Sequence, residues 1–338
     1  MALTQISNIL EPAIWLQYSK EYNPEKFDLF SSSAIVSPPA EVAAQMSAGG
    51  RIIDMPFWQD TSRAEPDLQD DTTTLSTSLN ITAAEEKARK IFWAKSWSQA
   101  DLAGAVATGS PKDPLQQITD FIINYWRASY QTTCIKVLDG ILAKDVATYS
   151  SDMLYSTYSD VVSGSITSAM RISPAGITGA RLTFGEMLND AGTIVCHSKV
   201  YGDMLNQEAI TFVQPHALPF KIPTYAGMNV VVSDQCTVVA GTNSPKYRNY
   251  ILGDGAIQHM EHLPDMAQEL YREPLKGNGG GITSLISRRQ AIFHPKGWQF
   301  TSSSVAGKSP TWAEISASAN WLRARQRKNI KIAYLETN

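Results

Sequence analysis

Residues 49–71 read GGRIIDMPFWQDTSRAEPDLQDD, an apolar run that ends in Phe57 and Trp58 and gives way to a long acidic segment. Ile53, Met55 and Phe57 alternate with Asp54 and Pro56, the period of a strand with one buried face. Downstream, TTTLSTSLNITAA sets Leu75, Thr77, Leu79 and Ile81 against Thr74, Ser76, Ser78 and Asn80, predicting a second strand. The two are expected to pair as a hairpin across Gln59 to Asp71. Such a connection exceeds the roughly two to five residues a hairpin needs, and long connections in compact proteins are usually functional or disordered. This one carries Asp60, Glu65, Asp67, Asp70 and Asp71 against Arg63 alone, a net charge of −4. Copies of the chain cannot pack tip against tip without repulsion, so the tip needs a basic partner.

Working outward, residues 1–48 mix Pro12, Pro24, Pro38 and Pro39 with Trp15, Tyr18, Tyr22, Phe27 and Phe30. That composition is too aromatic for a disordered tail and too interrupted for a long helix, and it fits an extended arm that packs on something else. From Asp113, DPLQQITDFIINYWRASYQTTCIKVLDGILAK opens with an Asp cap and Pro at the first helical position. It then places Leu115, Ile118, Ile122, Trp126, Tyr130, Cys134, Val137 and Ile141 three or four apart. One helix of roughly 30 residues, about 45 Å long, is expected to act as a spine. Beyond it, ITGARLTFGEML and SKVYGDMLN read as helices, the second opened by Ser198. TIVCHS, MNVVVSD, NYILG, QAIFHPKGWQF and KNIKIAYLE read as strands. Thr311 to Glu314 has capping-box spacing. The pattern predicts an α+β protein with a central mixed sheet.

A chain of 338 residues can bury about two cores, and its 43 % hydrophobic and 18 % charged residues describe a folded, soluble protein with much surface covered, including surface between subunits. A net charge of −3 excludes a surface that coats nucleic acid by counterion release, so any contact with DNA is local or weak. Cys134, Cys196 and Cys236 lack CxxC spacing, which suggests neither a disulfide framework nor a zinc site, and they are expected as buried thiols in a reducing compartment. No segment is apolar enough for a membrane span, and the N-terminus lacks a signal-peptide n-region, so the chain is expected to be cytoplasmic when made.

Catalytic motifs are thin. GNGGG at 277–281 has neither P-loop nor dinucleotide-fold spacing and is expected to be a flexible loop. His259 and His262 lie in HMEH without an HExxH pattern. Cys196 and His197 are sequence neighbours, which on a strand point to opposite faces and cannot share a proton. Asp70 and Asp71 are solvated loop charges, with no apolar surroundings to raise one carboxyl. The expectation is no active site, no cofactor and no metal. A hydrolase using Cys196 or the histidines is the reading of a different class.

The order of parts, an aromatic arm, a hairpin with an acidic tip, a spine helix and a mixed-sheet domain closed by a C-terminal strand, resembles the HK97-fold major capsid proteins of tailed bacteriophages. The segments GGRIIDMPFWQD, FWAKSWSQADLAGAVATGSPKDPLQQITDFIINYW, NVVVSD, YILGDGAI, RRQAIFHPKGWQF and PTWAEISASANWLRARQRKNIKIAYLETN are similar to blocks of that family. The resemblance implies an N-terminal arm at 1–48, an extended E-loop at 49–95, and a peripheral domain at 96–174 containing the spine helix 113–144. An axial domain would follow at 175–270, return strands of the peripheral domain at 271–308, and a C-terminal helix and strand at 309–338.

It further implies a structural subunit that assembles with itself as hexamers and pentamers into an icosahedral head around double-stranded DNA, located in the virion. Scaffolding, portal and decoration proteins would be partners, with weak non-specific contact to the DNA. An encapsulin-like compartment shell is the alternative. Some members carry a scaffolding segment before the arm; here the similar blocks begin close to Met1, so it is expected to be absent or removed. Some cross-link an E-loop lysine to a neighbour's asparagine, but no lysine lies between Arg51 and Ala84, so that chemistry is not carried over. Contacts between subunits are expected at Ile53, Met55, Phe57 and Trp58. The acidic tip, with Asp70 and Asp71, is expected against Arg288, Arg289 and Lys296 of a neighbour.

Overall fold

The computed structural model describes residues 28–59, 69, 78–106, 114–207, 210–213 and 222–338. In chain order the strands are β1 (Ile35–Val36), β2 (Ile52–Trp58), β3 (Ala83–Arg89), β4 (Ile91–Ala100), β5 (Leu154–Ser156) and β6 (Ala191–Cys196). They continue with β7 (Ile210–Val213), β8 (Ile222–Tyr225), β9 (Met228–Val232), β10 (Val238–Val239), β11 (Lys246–Gly253) and β12 (Ile257–His262). The last are β13 (Gln268–Glu273), β14 (Ile282–Pro295), β15 (Trp298–Phe300), β16 (Trp321–Arg323) and β17 (Ile332–Thr337). The α-helices are α1 (Ala40–Ser47), α2 (Asp101–Val106), α3 (Pro114–Thr148), α4 (Pro174–Leu182), α5 (Ser198–Asn206) and α6 (Trp312–Ile315).

The spine is α3, 35 residues and about 52 Å long at 1.5 Å per residue. Ile122, Trp126, Tyr130, Cys134, Val137 and Ile141 are all buried, as their spacing predicts, and Ile118 is half-buried. Asp113 and the side chain of Leu115 lie outside the described residues. The buried stripe touches both sheets at once: Ile257, Ala291 and Phe293 on one side, and Val195, Tyr250, Leu252, Ile332 and Tyr334 on the other.

One sheet has the order β1-β12-β14-β13, with β4 paired along the opposite edge of the long β14. The other runs β5-β17-β11-β6-β9-β8-β7. Its central strands are buried on both faces. Val195, Leu252 and Tyr334 point to α3, while Ile194, Cys196, Ile251 and Leu335 pack with Ile177 and Ala180 of α4 and Val200 and Met204 of α5. This two-sided burial explains why these strands appear in the sequence as apolar runs.

Several sequence expectations need correction. The strand that pairs with β2 is β3, with Trp58 opposite Ala83 and Ile52 opposite Arg89, not the Leu75-to-Ile81 repeat. Residues 78–82 are not in a strand, Leu79 and Ile81 are exposed, and residues 70–77 lie outside the described residues. The hairpin therefore carries a lysine after all, Lys87, paired with Glu85 at 2.6 Å. Helix α5 is capped by His197, whose Nδ1 accepts the Lys199 amide at 3.1 Å, and not by Ser198. HMEH forms the end of strand β12. The Thr311 capping box is formed, though α6 is only one turn long.

Candidate functional site

Strands β2 and β3 form a two-stranded sheet of their own. Such a ribbon is marginal in isolation and needs anchoring. Its inner face supplies one anchor: Ile53 and Ala88 pack with Val42 and Met46 of α1 and Ile292 of β14, with Met55 partly buried against them.

The second anchor is polar. Glu86 of β3 is 3 % exposed, and its carboxylate accepts His294 Nε2 at 2.8 Å, the Gly297 amide at 3.3 Å and Arg325 Nε. Burial pushes the carboxyl up, but the hydrogen bonds and charges of His294 and Arg325 together outweigh it and hold the group below its ordinary value. Gly297, at φ +90°, makes the turn that brings its amide there, and a Cβ on it would meet Ile330. Arg325 also lies 4.3 Å over the Phe57 ring, so one guanidinium grips both strands of the hairpin.

The third anchor is Lys90, immediately after β3 and 1 % exposed. Its Nζ donates to the carbonyls of Gln45, Met46 and Ala48 at 2.5, 3.3 and 2.7 Å. These are orphan carbonyls at the C-terminus of α1, where a cation also meets the negative end of the helix dipole.

Arg325 is one of three alternate arginines in WLRARQRKN, residues 321–329. Arg323 donates to Asp145 at 2.7 Å and to both Asp152 oxygens at 2.7 and 2.6 Å, at the end of the spine, and lies 4.0 Å over Tyr149. Arg327 donates to Thr183 Oγ1 at 2.8 Å, just past α4. A single short segment thus ties the hairpin, the spine and the larger sheet's helical cover to one another. Neither this segment nor Glu86 carries a local signal in the sequence, because the partners of Glu86 are 208 and 239 positions away.

The residues expected at subunit contacts divide into different groups. Ile53 is 1 % exposed and is spent on the subunit's own core, so it has no surface left for a neighbour. Met55 and Phe57 are half-buried, while Trp58 is 74 % exposed at the hairpin's outer end. Arg288 and Arg289 are already paired within the chain, with Glu269 at 2.7 Å and Glu261 at 2.8 Å. Lys296 is exposed. Asp70 and Asp71 lie outside the described residues.

The residues weighed for catalysis are engaged elsewhere. Cys196 is fully buried, and desolvation pushes its thiol up to about 12. His197 caps α5 and faces Asp234 at 3.7 Å. His259 packs edge-on to Phe30 and is bonded to the Ile292 carbonyl at 3.0 Å. Residues 274–280 form the turn that leads into β14. Among the described residues there is no cluster of His, Cys, Asp or Glu able to hold a metal ion, and no helix is long and apolar enough to cross a membrane.

No family model matches the chain. It is 28 % identical over 334 residues to the major capsid protein of Bacillus phage SPP1, covering 98 % of this chain and 97 % of that one. Among solved structures, the capsid asymmetric unit of cyanophage Pam1 matches with a TM-score of 0.63 at 9 % identity, covering 97 % of this chain and 96 % of that one. The holo encapsulin complex of Synechococcus elongatus PCC 7942 matches with a TM-score of 0.52 at 8 % identity, covering 99 % and 95 %. The chain therefore has the HK97-like α+β capsid fold expected from its sequence.

Proposed function

We infer that this chain, which has the HK97-like capsid fold, is a major capsid protein: a structural subunit that assembles with itself into the shell of a phage virion. The observation that carries this reading is the 28 % identity to a phage major capsid protein along almost the whole of both chains. The fold alone does not separate a virus head from an encapsulin compartment, because both solved types resemble it. The full-length relative and the higher structural similarity to the phage capsid favour the head.

In finer terms, the shell is icosahedral, built of hexamers and pentamers around double-stranded DNA, and made in the host cytoplasm. Residues 1–48 act as an arm and 49–95 as the E-loop, with 28–48 and the base of the hairpin held on their own subunit and the hairpin's outer end reaching a neighbour. Trp58, exposed beyond the anchored base of the hairpin, is the apolar contact. The acidic tip rests on a neighbour's basic ground, where exposed Lys296 offers charge and Arg288 and Arg289 contribute only by exchanging partners. Scaffolding, portal and decoration proteins complete the head.

Nucleic-acid and protein analysis of particles purified from infected cells tests the reading. Genome-length DNA inside shells of this chain is expected; shells filled with an enzyme and free of a genome would favour the compartment instead.

A further inference from the structure

Strand β13 lies at an end of its sheet, and among the described residues β14 is its sole hydrogen-bonded neighbour. The direction of its free groups follows from the register. The Arg288 amide donates to the Ala267 carbonyl, and Gln268 stands opposite Ser287, so Gln268 is in a pair that exchanges no hydrogen bonds with β14. The amides and carbonyls of Gln268, Leu270 and Arg272 therefore point away from the sheet, along an open edge.

Natural sheets guard such edges with free charged side chains, Lys above all, with Pro, bulges or covering elements. QELYRE contains neither Lys nor Pro. Instead Leu270 is 62 % exposed and Tyr271 half exposed, flanked by exposed Leu263, Met266 and Leu275. The charges along the edge are spent within the subunit: Glu269 on Arg288 at 2.7 Å, Arg272 on Asp101 at 2.6 Å and Glu273 on Lys276 at 2.5 Å. The edge therefore suits a strand with apolar side chains at its centre and little net charge, and β13 itself has both, with Leu270 and Tyr271 at its centre and a net charge of −1.

Resting on the reading of the chain as a self-assembling subunit, we propose that β13 pairs antiparallel with β13 of a second copy about a twofold axis, continuing the sheet from one subunit into the next. The backbone fixes the choice of register. Directly opposed residues must both point their amides outward, so Leu270 can face Leu270 or Arg272 of the partner but not Tyr271. Centring the axis on Leu270 sets Leu270 against the partner's Leu270, Gln268 against the partner's Arg272 and Glu269 against the partner's Tyr271. Centring it on Tyr271 would set Glu269 against the partner's Glu273, and centring it on Glu269 would oppose two glutamates, both repulsive. The contact is isologous, so a single sequence supplies both sides.

Cysteine cross-linking within assembled particles tests this pairing. Leu270→Cys places two thiols on Cα atoms about 5.5 Å apart, within disulfide range, while Tyr271→Cys places them out of reach. A reducible dimer is expected from Leu270→Cys at least about tenfold above Tyr271→Cys. A stronger cross-link from Tyr271→Cys overturns the register, and none from either variant in particles that do form overturns the pairing while leaving the shell reading intact. Failure of the unaltered chain to form particles overturns both. Leu270→Pro supplies a second reading, because the amide it removes faces away from β14 and an edge strand tolerates it. Its subunit should melt like the parent yet assemble poorly; normal assembly overturns the pairing.

Discussion

Gly140 lies in the middle of the spine, where glycine ordinarily weakens a helix by about 1 kcal/mol relative to alanine. Here the C-terminal segment crosses it so closely that a Cβ would fall on the Ile315 carbonyl and the Trp321 indole. Those two groups are themselves hydrogen-bonded at 2.6 Å. Overpacking should therefore win over propensity, and Gly140→Ala is expected to destabilise the subunit by about 1–3 kcal/mol in urea unfolding. A stabilised variant would mean that the C-terminal segment does not rest on the spine. Glu86 gives a second prediction at this scale. Its folded pKa is held below the ordinary 4.5, so the stability it contributes is present above that value and lost as pH falls through the folded one. Glu86→Gln should cost roughly 3–5 kcal/mol near neutrality by leaving Arg325 unpaired beside a buried site. Hydrogen exchange in β3 should quicken in the variant at neutral pH, and its acid-induced quickening below about pH 4.5 should disappear. Unchanged exchange in β3 would remove Glu86 from its anchoring role.

At the scale of elements, the spine was legible because a period near 3.6 repeats over many turns and its apolar stripe is buried as the pattern requires. The second strand of the hairpin was not. AAEEKAR is rich in good helix formers, and only pairing with β2 and the burial of Glu86 by residues from β14 and beyond β16 make it a strand. The alternation in TTTLSTSLNITAA is genuine, yet Leu79 and Ile81 are exposed in this subunit and lie outside any strand. The sequence reading puts Cys196 and His197 on one strand, but β6 ends at Cys196 and His197 caps α5, a role that only the three-dimensional turn reveals. The intrachain pairs of Arg288 and Arg289 alter what the acidic tip is expected to do. Asp70→Lys with Asp71→Lys should lower particle yield, more strongly at low salt, and Lys296→Glu in the same chain should restore part of it. Arg288→Glu with Arg289→Glu should fail to restore it, since those changes break the pairs with Glu269 and Glu261. Each exposed pair is worth only about 0–1 kcal/mol, but a shell repeats it many times. Restoration by the arginine changes and not by Lys296→Glu would relocate the tip's partner.

For the whole molecule, the spine between two sheets makes a core, while a hairpin on three anchors, exposed Trp58 and the edge of β13 leave surfaces with no partner among the described residues of one subunit. The link between them is the alternate-arginine segment 323–327, which joins the hairpin base to the end of the spine and to α4, so that the hairpin's angle is set by the body it leaves. A thin closed container gains its stability from such repeated contacts between copies. The central claim is that this chain builds that container. Cryo-electron microscopy of particles made by the expressed chain tests it most directly. The account predicts closed icosahedral shells whose subunit density follows this fold, with the hairpin extended over a neighbour. Uniform monomers under every assembly condition, or particles in which the hairpin's outer end, from Trp58 on, folds back on its own subunit, would contradict it.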